Sequence, residues 1–257
     1  MSLSGKRALI TGGSSGIGRA CAMEFIRRGA HVALVARRKA MLEDAVATAS
    51  RERTGTARAV AADVTVAEDR RRCVEEAVGF LGSLDVLVNA AGILEGGSVE
   101  KTSLEAFDRT MDINVRALYD LTRIALPHLE KSRGNVVNIS SVAGLRPYPG
   151  LVAYCVSKSA VDQMTRCLAL DLAPKGIRVN AVNPGVVVTN LHRAGGMSDE
   201  AYAAFLERGK QTHPLGRVGT AEEVARSVAW LASPDEAGWI TGITLSVDGG
   251  RANASAR

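Results

Sequence analysis

The sequence predicts an α/β fold: a doubly wound parallel sheet of about seven strands with helices on both faces, in a single domain. Two observations carry this. Short apolar runs alternate with segments of helical period, and strand, helix, strand repeated in this way means parallel strands joined by crossover helices. At 257 residues and 46% hydrophobic content the chain is long enough for one large core, and no linker interrupts it.

The first run, residues 7–10, leads through Thr11, Gly12, Gly13, Ser14, Ser15, Gly16, Ile17 and Gly18 into a helical pattern over 17–28. Glycines at 12, 16 and 18 let backbone approach a pyrophosphate, and a helix amino terminus supplies unpaired N–H groups and a positive dipole end. Between a first strand and a first helix this reads as a dinucleotide site, the alternative being an ordinary glycine-rich turn. The second run, 32–35, ends at Ala36, followed by Arg37, Arg38 and Lys39 and a helical pattern over 41–51. An NAD site places a carboxylate at this strand end, about 20 residues after the glycine turn. No acid occurs from Phe25 to Leu42, and Ala36 stands where the acid would be. Three cations opening a helix oppose its dipole, so an anion is expected there. The Arg37 guanidinium, with Arg38 beside it, suits a 2′-phosphate. The expected cofactor is therefore NADP(H), with use of NAD(H) as the alternative.

The third run, 58–61, ends in Ala62, Asp63 and Val64 before a helical pattern over 67–80, and the fourth, 85–88, ends in Asn89, Ala90, Ala91 and Gly92. Both ends fall on the sheet edge that carries the glycine turn. The small residues from Ala90 to Gly92 admit a flat ring close to backbone. Asp63 either accepts from an adenine amino group or caps the turn before Thr65. The basic run Arg70 to Arg72, flanked by Asp69, Glu75 and Glu76, reads as a solvated helix face rather than a nucleic-acid patch. A long helical pattern follows over 104–129. Asn114 inside it either faces solvent, kinks the helix or holds a water near the site.

The fifth run, 136–139, reaches Ser140 and Ser141, then a turn rich in Gly and Pro, then a helix that starts near residue 150 and runs to 172. It stacks Tyr154 and Lys158 one turn apart on one face. A phenol normally titrates near ~10, and a neighbouring ammonium favours phenolate, which is how a tyrosine becomes an acid and base near neutral pH. Tyr119, Tyr148 and Tyr202 have Arg123, Val152 and Leu206 four residues on, so only Tyr154 has the lysine. The sixth run, 179–182, leads to Asn183, Pro184 and Gly185. Residues 190–214, with Gly195 and Gly196 as hinges and Tyr202, Phe205 and Leu206 on one stripe, form either a lid over substrate or a small packed helix. Leu94, Leu145, Arg146 and Tyr148 are further candidates for the pocket border. A helix over 221–231 and a last strand over 243–247 complete the pattern, and the tail from residue 251 reads as frayed.

The formal charge of +5 sets 32 basic against 27 acidic residues, with no patch that calls for nucleic acid. Cys21, Cys73, Cys155 and Cys167 lie in helical patterns without CxxC spacing or a neighbouring His, so reduced buried thiols are expected and no metal site. A strand begins almost at Met1, leaving no room for a signal peptide, and no apolar run approaches ~20 residues, so a soluble cytosolic protein is expected.

Taken together, TGGSSGIG, NAAG, the Asn in INV, Ser141, Tyr154-x-x-x-Lys158 and Asn183-Pro184-Gly185 resemble the short-chain dehydrogenase/reductase family, from Gly5 to the VDGG that ends at Gly250. The resemblance implies a Rossmann-type sheet, a nicotinamide cofactor, a homotetramer, and hydride transfer with an alcohol or carbonyl substrate. It implies Tyr154 as general acid and base, Lys158 on the nicotinamide ribose, Ser141 on the substrate oxygen and Asn114 on a relay water. For the cofactor it implies the turn from Gly12 through Ser14, Ser15, Gly16 and Ile17 to Gly18, then Asp63 and Val64, Asn89, Ala90 and Gly92, and Pro184, Gly185, Val187 and Thr189. Two alternatives use the same fold: a dinucleotide sensor without turnover, and a non-redox lyase or epimerase.

Overall fold

Seven strands form one all-parallel sheet in the computed structural model, which describes residues 2–52 and 54–254. They are β1 (Arg7–Thr11), β2 (His31–Ala36), β3 (Ala57–Ala61), β4 (Val86–Asn89), β5 (Asn135–Ile139), β6 (Arg178–Pro184) and β7 (Thr244–Val247). The order is β3-β2-β1-β4-β5-β6-β7, with Leu9 opposite Ala33 on one side and Leu87 on the other. Side chains alternate between two apolar layers. Ala8 and Ile10 join Phe25, Ile26, Val228 and Leu231, whereas Leu9 joins Val74, Leu121 and Leu129. Burial of each Leu, Ile, Val or Phe side chain contributes about 1.5–3 kcal/mol, which explains the apolar runs by which the strands were read.

The helices divide between the layers. One layer holds α1 (Gly16–Arg27), α2 (Lys39–Ala49) and the later helix of residues 221–232; the other holds α3 (Ala67–Leu81) and, beyond α4 (Leu104–Met111), α5 (Ala117–Ser132) and α6 (Val152–Leu172). After β6 come α7 (Leu191–Ala194), α8 (Asp199–Thr212), α9 (Ala221–Ala232) and α10 (Pro234–Ala237). The strand order reverses between β1 and β4, so the crevice of a doubly wound sheet opens beyond their carboxyl ends. Thr11 ties those ends together, its Oγ1 accepting from the amides of Ala90 at 3.0 Å and Ala91 at 3.1 Å.

Four expectations change. The helix expected over 104–129 is interrupted by a π-helical turn, Asp112–Arg116, in which Asn114 is buried and does not face solvent. Arg70 does not lie on a solvated face: only 7% exposed, it pairs with Asp120 of α5 at 2.6 Å and donates to the Val64 carbonyl, while Arg71 and Arg72 are exposed and paired on their own helix. Charge spacing alone does not distinguish a helix cation that meets a neighbouring helix from one that meets water. The tail is ordered through Ala254, because Arg146 donates to the carbonyls of Arg251, Ala252 and Ala254, and Arg251–Asn253 forms a 3-10 turn; residues 255–257 lie outside the described range. Cys21 and Cys73 are buried, but Cys167 is exposed and Cys155 half-buried.

Candidate active site

The first turn is shaped by what its glycines lack. Gly12 sits at φ +66°, and a Cβ there would lie 2.7 Å from the Ala90 carbonyl oxygen; a Cβ on Gly18 would strike the Gly12 carbonyl. Ser15 precedes α1 with no side-chain cap, leaving the first helical N–H groups to a ligand. Thr189 closes the turn from across the crevice, its Cβ 3.4 Å from where a Gly16 Cβ would stand.

These residues line one cleft of about 1070 Å³. Gly12, Ser14, Ser15, Gly16, Ile17, Gly18, Arg37, Arg38, Asp63, Val64, Ala90, Gly92, Ser141, Tyr154, Lys158, Pro184, Gly185, Val187 and Thr189 all contribute to it. Asn89 and Asn114 do not. Asn89 is buried behind the strand end, donating to Asn138 Oδ1 at 3.0 Å and Thr122 Oγ1 at 3.3 Å. Asn114 is turned inward by the π-helical turn. Its Oδ1 accepts from the Ile93 amide at 2.9 Å, and its Nδ2 donates to the Ile93 carbonyl and to Ser157 Oγ, both at 3.0 Å. It thereby holds the β4 loop against α6, directly behind Gly92. Asp63 caps its own turn, with Oδ1 accepting from the Thr65 amide and hydroxyl, and still borders the cleft. Among the described residues Arg37 and Arg38 have no carboxylate partner, whereas Lys39 reaches Glu43 at 3.8 Å.

Tyr154 is 6% exposed and Lys158 5%. Lys158 Nζ donates to the Ile139 carbonyl at 2.9 Å and lies 5.7 Å from the centre of the Tyr154 ring, which leaves two of its protons for the cleft. The expected lowering of the tyrosine is absent. Burial pushes Tyr154 up to about 12, the Ser141 hydroxyl opposing this. Burial likewise brings Lys158 down to about 8, with Asp162 pulling the other way. The reason is geometric: the ammonium faces a backbone carbonyl rather than the phenol oxygen, so desolvation dominates. The buried phenol thus keeps its proton at neutral pH.

Two supporting residues had no assigned role. Asp162, one turn beyond Lys158, is 2% exposed, and its carboxylate accepts from Asn183 Nδ2 at 3.1 and 2.9 Å. The same Nδ2 donates to the Ser141 carbonyl at 2.8 Å, so the two residues fix the loop that presents Ser141. The signal was available: Tyr154, Lys158 and Asp162 form an i, i+4, i+8 stripe, and an acid on the face of a buried pair needs a partner. Across the cleft α7 and α8 pack down. Tyr202 is buried, its hydroxyl donating to the Thr189 carbonyl at 2.9 Å, and a Cβ on Gly195 would strike the Leu94 carbonyl. Leu94 and Tyr148 line the cleft; Leu145 and Arg146 do not. Among the described residues no group of three or more His, Cys, Asp or Glu is arranged to hold a metal ion, and no helix is long and apolar enough to cross a membrane.

A sequence model of the family described as enoyl-(acyl carrier protein) reductase matches residues 12–252. The chain is 39% identical over 244 residues to 2-(S)-hydroxypropyl-CoM dehydrogenase 3 of Xanthobacter autotrophicus, covering 94% of each chain. It is also 39% identical to dehydrogenase/reductase SDR family member 4 of Homo sapiens, covering 96% of this chain and 88% of that one. A crystal structure of a short-chain dehydrogenase/reductase of unknown function from Caenorhabditis elegans, solved with cofactor, superposes with a TM-score of 0.93 at 33% identity, over 100% of this chain and 98% of the other.

Proposed function

The chain belongs to the short-chain dehydrogenase/reductase family, a nicotinamide-dependent class of oxidoreductases, and from that premise we propose an NADP(H)-dependent enzyme that interconverts a small alcohol and its carbonyl, with Tyr154 as general acid and base. The observation that carries this is the convergence, in one cleft, of the Cβ-free turn at Gly12 to Gly18 with Ser141, Tyr154 and Lys158. The cradle fits a dinucleotide: Gly12, Gly16, Gly18 and the α1 amides for the pyrophosphate, Arg37 and Arg38 for a 2′-phosphate, Lys158 for ribose hydroxyls, and Thr189 beside Pro184 and Gly185 for the carboxamide. When bound, the nicotinamide supplies or accepts the hydride.

The chain's own residues handle the oxygen. Ser141 Oγ accepts from the Ala143 amide at 3.1 Å, and its hydroxyl, turned to the Tyr154 phenol, is placed to share a substrate's carbonyl oxygen with it. In reduction Tyr154 donates to the developing alkoxide, which its neutral resting state suits. In oxidation it must start as the phenolate to take the alcohol's proton, and positive charge brought near the phenol favours that ionised form. Lys158 holds its ammonium between the Ile139 carbonyl and the cleft, within reach of ribose hydroxyls. Asn114 holds the β4 loop and the turn of α6 that carry these groups. Residues 190–214 form the substrate side, and the assembly is a homotetramer.

The test is a panel of ketones, sugars, steroids and quinones with NADPH, followed by absorbance, with Tyr154→Phe as control. The expected result is turnover of at least one member, abolished in the variant with cofactor binding retained. Loss of cofactor binding in Tyr154→Phe would make the residue structural.

A further inference from the structure

The loop that leaves β6, from Gly185 to Thr189, borders the cofactor cleft, and two side chains of the α8 segment hold it by its backbone. At the far end Tyr202 Oη accepts from the Thr189 amide at 3.2 Å and donates to the Thr189 carbonyl at 2.9 Å. At the near end His213, the residue after α8, receives the Val186 amide on Nε2 at 3.1 Å. Its other ring nitrogen, Nδ1, lies 2.7 Å from the Gly209 carbonyl. The amides on either side of Val186 are anchored to backbone, Gly185 to the Val247 carbonyl and Val188 to the Gly219 carbonyl, both at 3.1 Å. At Val186 a side chain takes over that task. The place is shaped for it: His213 is 3% exposed, and a Cβ on Gly185 would stand 2.8 Å from Nε2.

These two partners fix the state of the ring. An amide only donates and a carbonyl only accepts, so the neutral imidazole with its proton on Nδ1 satisfies both. An imidazolium carries N–H on both nitrogens and would set one of them against the Val186 N–H. The link therefore exists only while the ring is neutral. Burial holds His213 below the ordinary histidine value, with the Gly209 carbonyl opposing; Arg251 lowers it further and Asp248 raises it. Among the surrounding elements the segment after β7 brings these two charges, and α8 brings Arg208 and Lys210, the latter bonded to Glu207. The stretch into α9 brings Arg217 and Glu223, paired with each other, and the loop from Gly185 to Thr189 has no charged residue.

We propose that His213 is a positioning residue that, in its neutral form, latches the loop from Gly185 to Thr189 to α8, and that its protonation releases the grip of this loop on the nicotinamide half of the cofactor. This rests on the reading of the cleft as a dinucleotide site with that loop at the carboxamide. Arg37 and Asp63, assigned to the adenosine half, follow β2 and β3 at the opposite end of the sheet from β6, beyond the reach of the latch. The lowered value keeps the latch closed at neutral pH. It opens as pH falls past that value, on the acid side of about 6.5, and the native state loses stability over the same range because the unfolded chain takes the proton first.

The experiment titrates NADP⁺ and NAD⁺ calorimetrically, each beside its adenine half, 2′,5′-ADP or 5′-AMP, from pH 7.5 to 5.5. His213→Leu removes the acceptor. His213→Gln places an amide oxygen at about the reach of Nε2 and does not titrate, while the Gly209 carbonyl keeps the backbone amide of residue 213 at 3.1 Å. At pH 7.5 the leucine variant should bind the preferred dinucleotide about 10-fold more weakly and its adenine half within twofold of wild type, the loss of one buried hydrogen bond. On acidification the wild-type protein should lose dinucleotide affinity relative to the adenine half, whereas His213→Gln should hold the ratio. Phosphate titration is common to both proteins and cancels between them. A ratio of dinucleotide to half that is the same in wild type and His213→Leu overturns the proposal, as does a glutamine variant that follows the wild-type pH course. If the leucine variant does not fold, the glutamine comparison decides. Binding of neither dinucleotide would overturn the proposal together with the reading it rests on. Absence of turnover across the whole substrate panel, beside these binding ratios, would count against the oxidoreductase reading alone.

Discussion

At the scale of single residues, two groups carry opposite electrostatic demands. Lys158 is charged at neutral pH although burial has brought it down from 10.5 to about 8. The unfolded chain therefore holds this proton more tightly than the native state. The native state bears the full penalty below pH 8 and is relieved of it as pH rises from about 8 to 10.5. Lys158→Met should accordingly be inactive yet resist urea better than wild type at pH 7, with the gain fading above pH 8. The buried Ile139 carbonyl left without its donor offsets part of it, so an increase of about 1–3 kcal/mol is expected. A variant destabilised at every pH would mean that the lysine is held by attraction rather than suffered for function. Arg37 presents the reverse case, a cation with no carboxylate partner among the described residues. Arg37→Ala should lower kcat/KM for NADPH by about 10- to 100-fold, the loss of one to two charge-assisted bonds, and leave NADH within about twofold. Equal efficiencies of the wild-type protein with both cofactors would sink the NADP assignment.

At the scale of elements, sequence legibility follows the range of the interaction. Every strand was readable, because a strand buried on both faces such as β2 carries an apolar run whatever its neighbours. The Tyr154 to Lys158 pair was readable because helix geometry fixes it locally. What failed depended on distant partners. The π-helical turn exists because Asn114 pairs with the Ile93 backbone and Ser157, respectively 21 and 43 residues away. Arg70 is buried because Asp120 lies 50 residues on, and Arg251 is ordered because Arg146 lies 105 residues back. Asn114→Ala tests the element directly. It leaves the Ile93 amide and carbonyl and the Ser157 hydroxyl short of a partner, so a stability loss of about 1–3 kcal/mol is expected. If the turn also positions the cleft, kcat should fall at least 10-fold while the cofactor dissociation constant changes little. A fall in melting temperature with kcat intact would reduce Asn114 to a brace.

At the scale of the whole molecule, the surface is not finished. Leu104 and Tyr119, at the outer side of the α4 to α5 pair, are 78% and 50% exposed, and Leu170 of α6 is 78% exposed with Val152 and Val156 uncovered on the same helix. Trp239, after α10, is fully exposed. β7 is an edge strand, paired only with β6, so one row of its backbone groups also faces outward. Apolar side chains of this size on a surface mark contacts with other chains, and homo-oligomers close by symmetry. The α5 and α6 faces suit one isologous contact and the β7 edge with Trp239 a second. Two different two-fold contacts generate four subunits. Light scattering at micromolar concentration should therefore report about four times the 27.0 kDa chain mass. Trp239→Glu should stop assembly at the dimer built on α5 and α6, and Leu170→Glu added to it should yield monomers. Because the cleft is formed within one chain, these monomers should still bind cofactor. A wild-type protein that scatters as a monomer would leave the exposed leucines and Trp239 without this explanation.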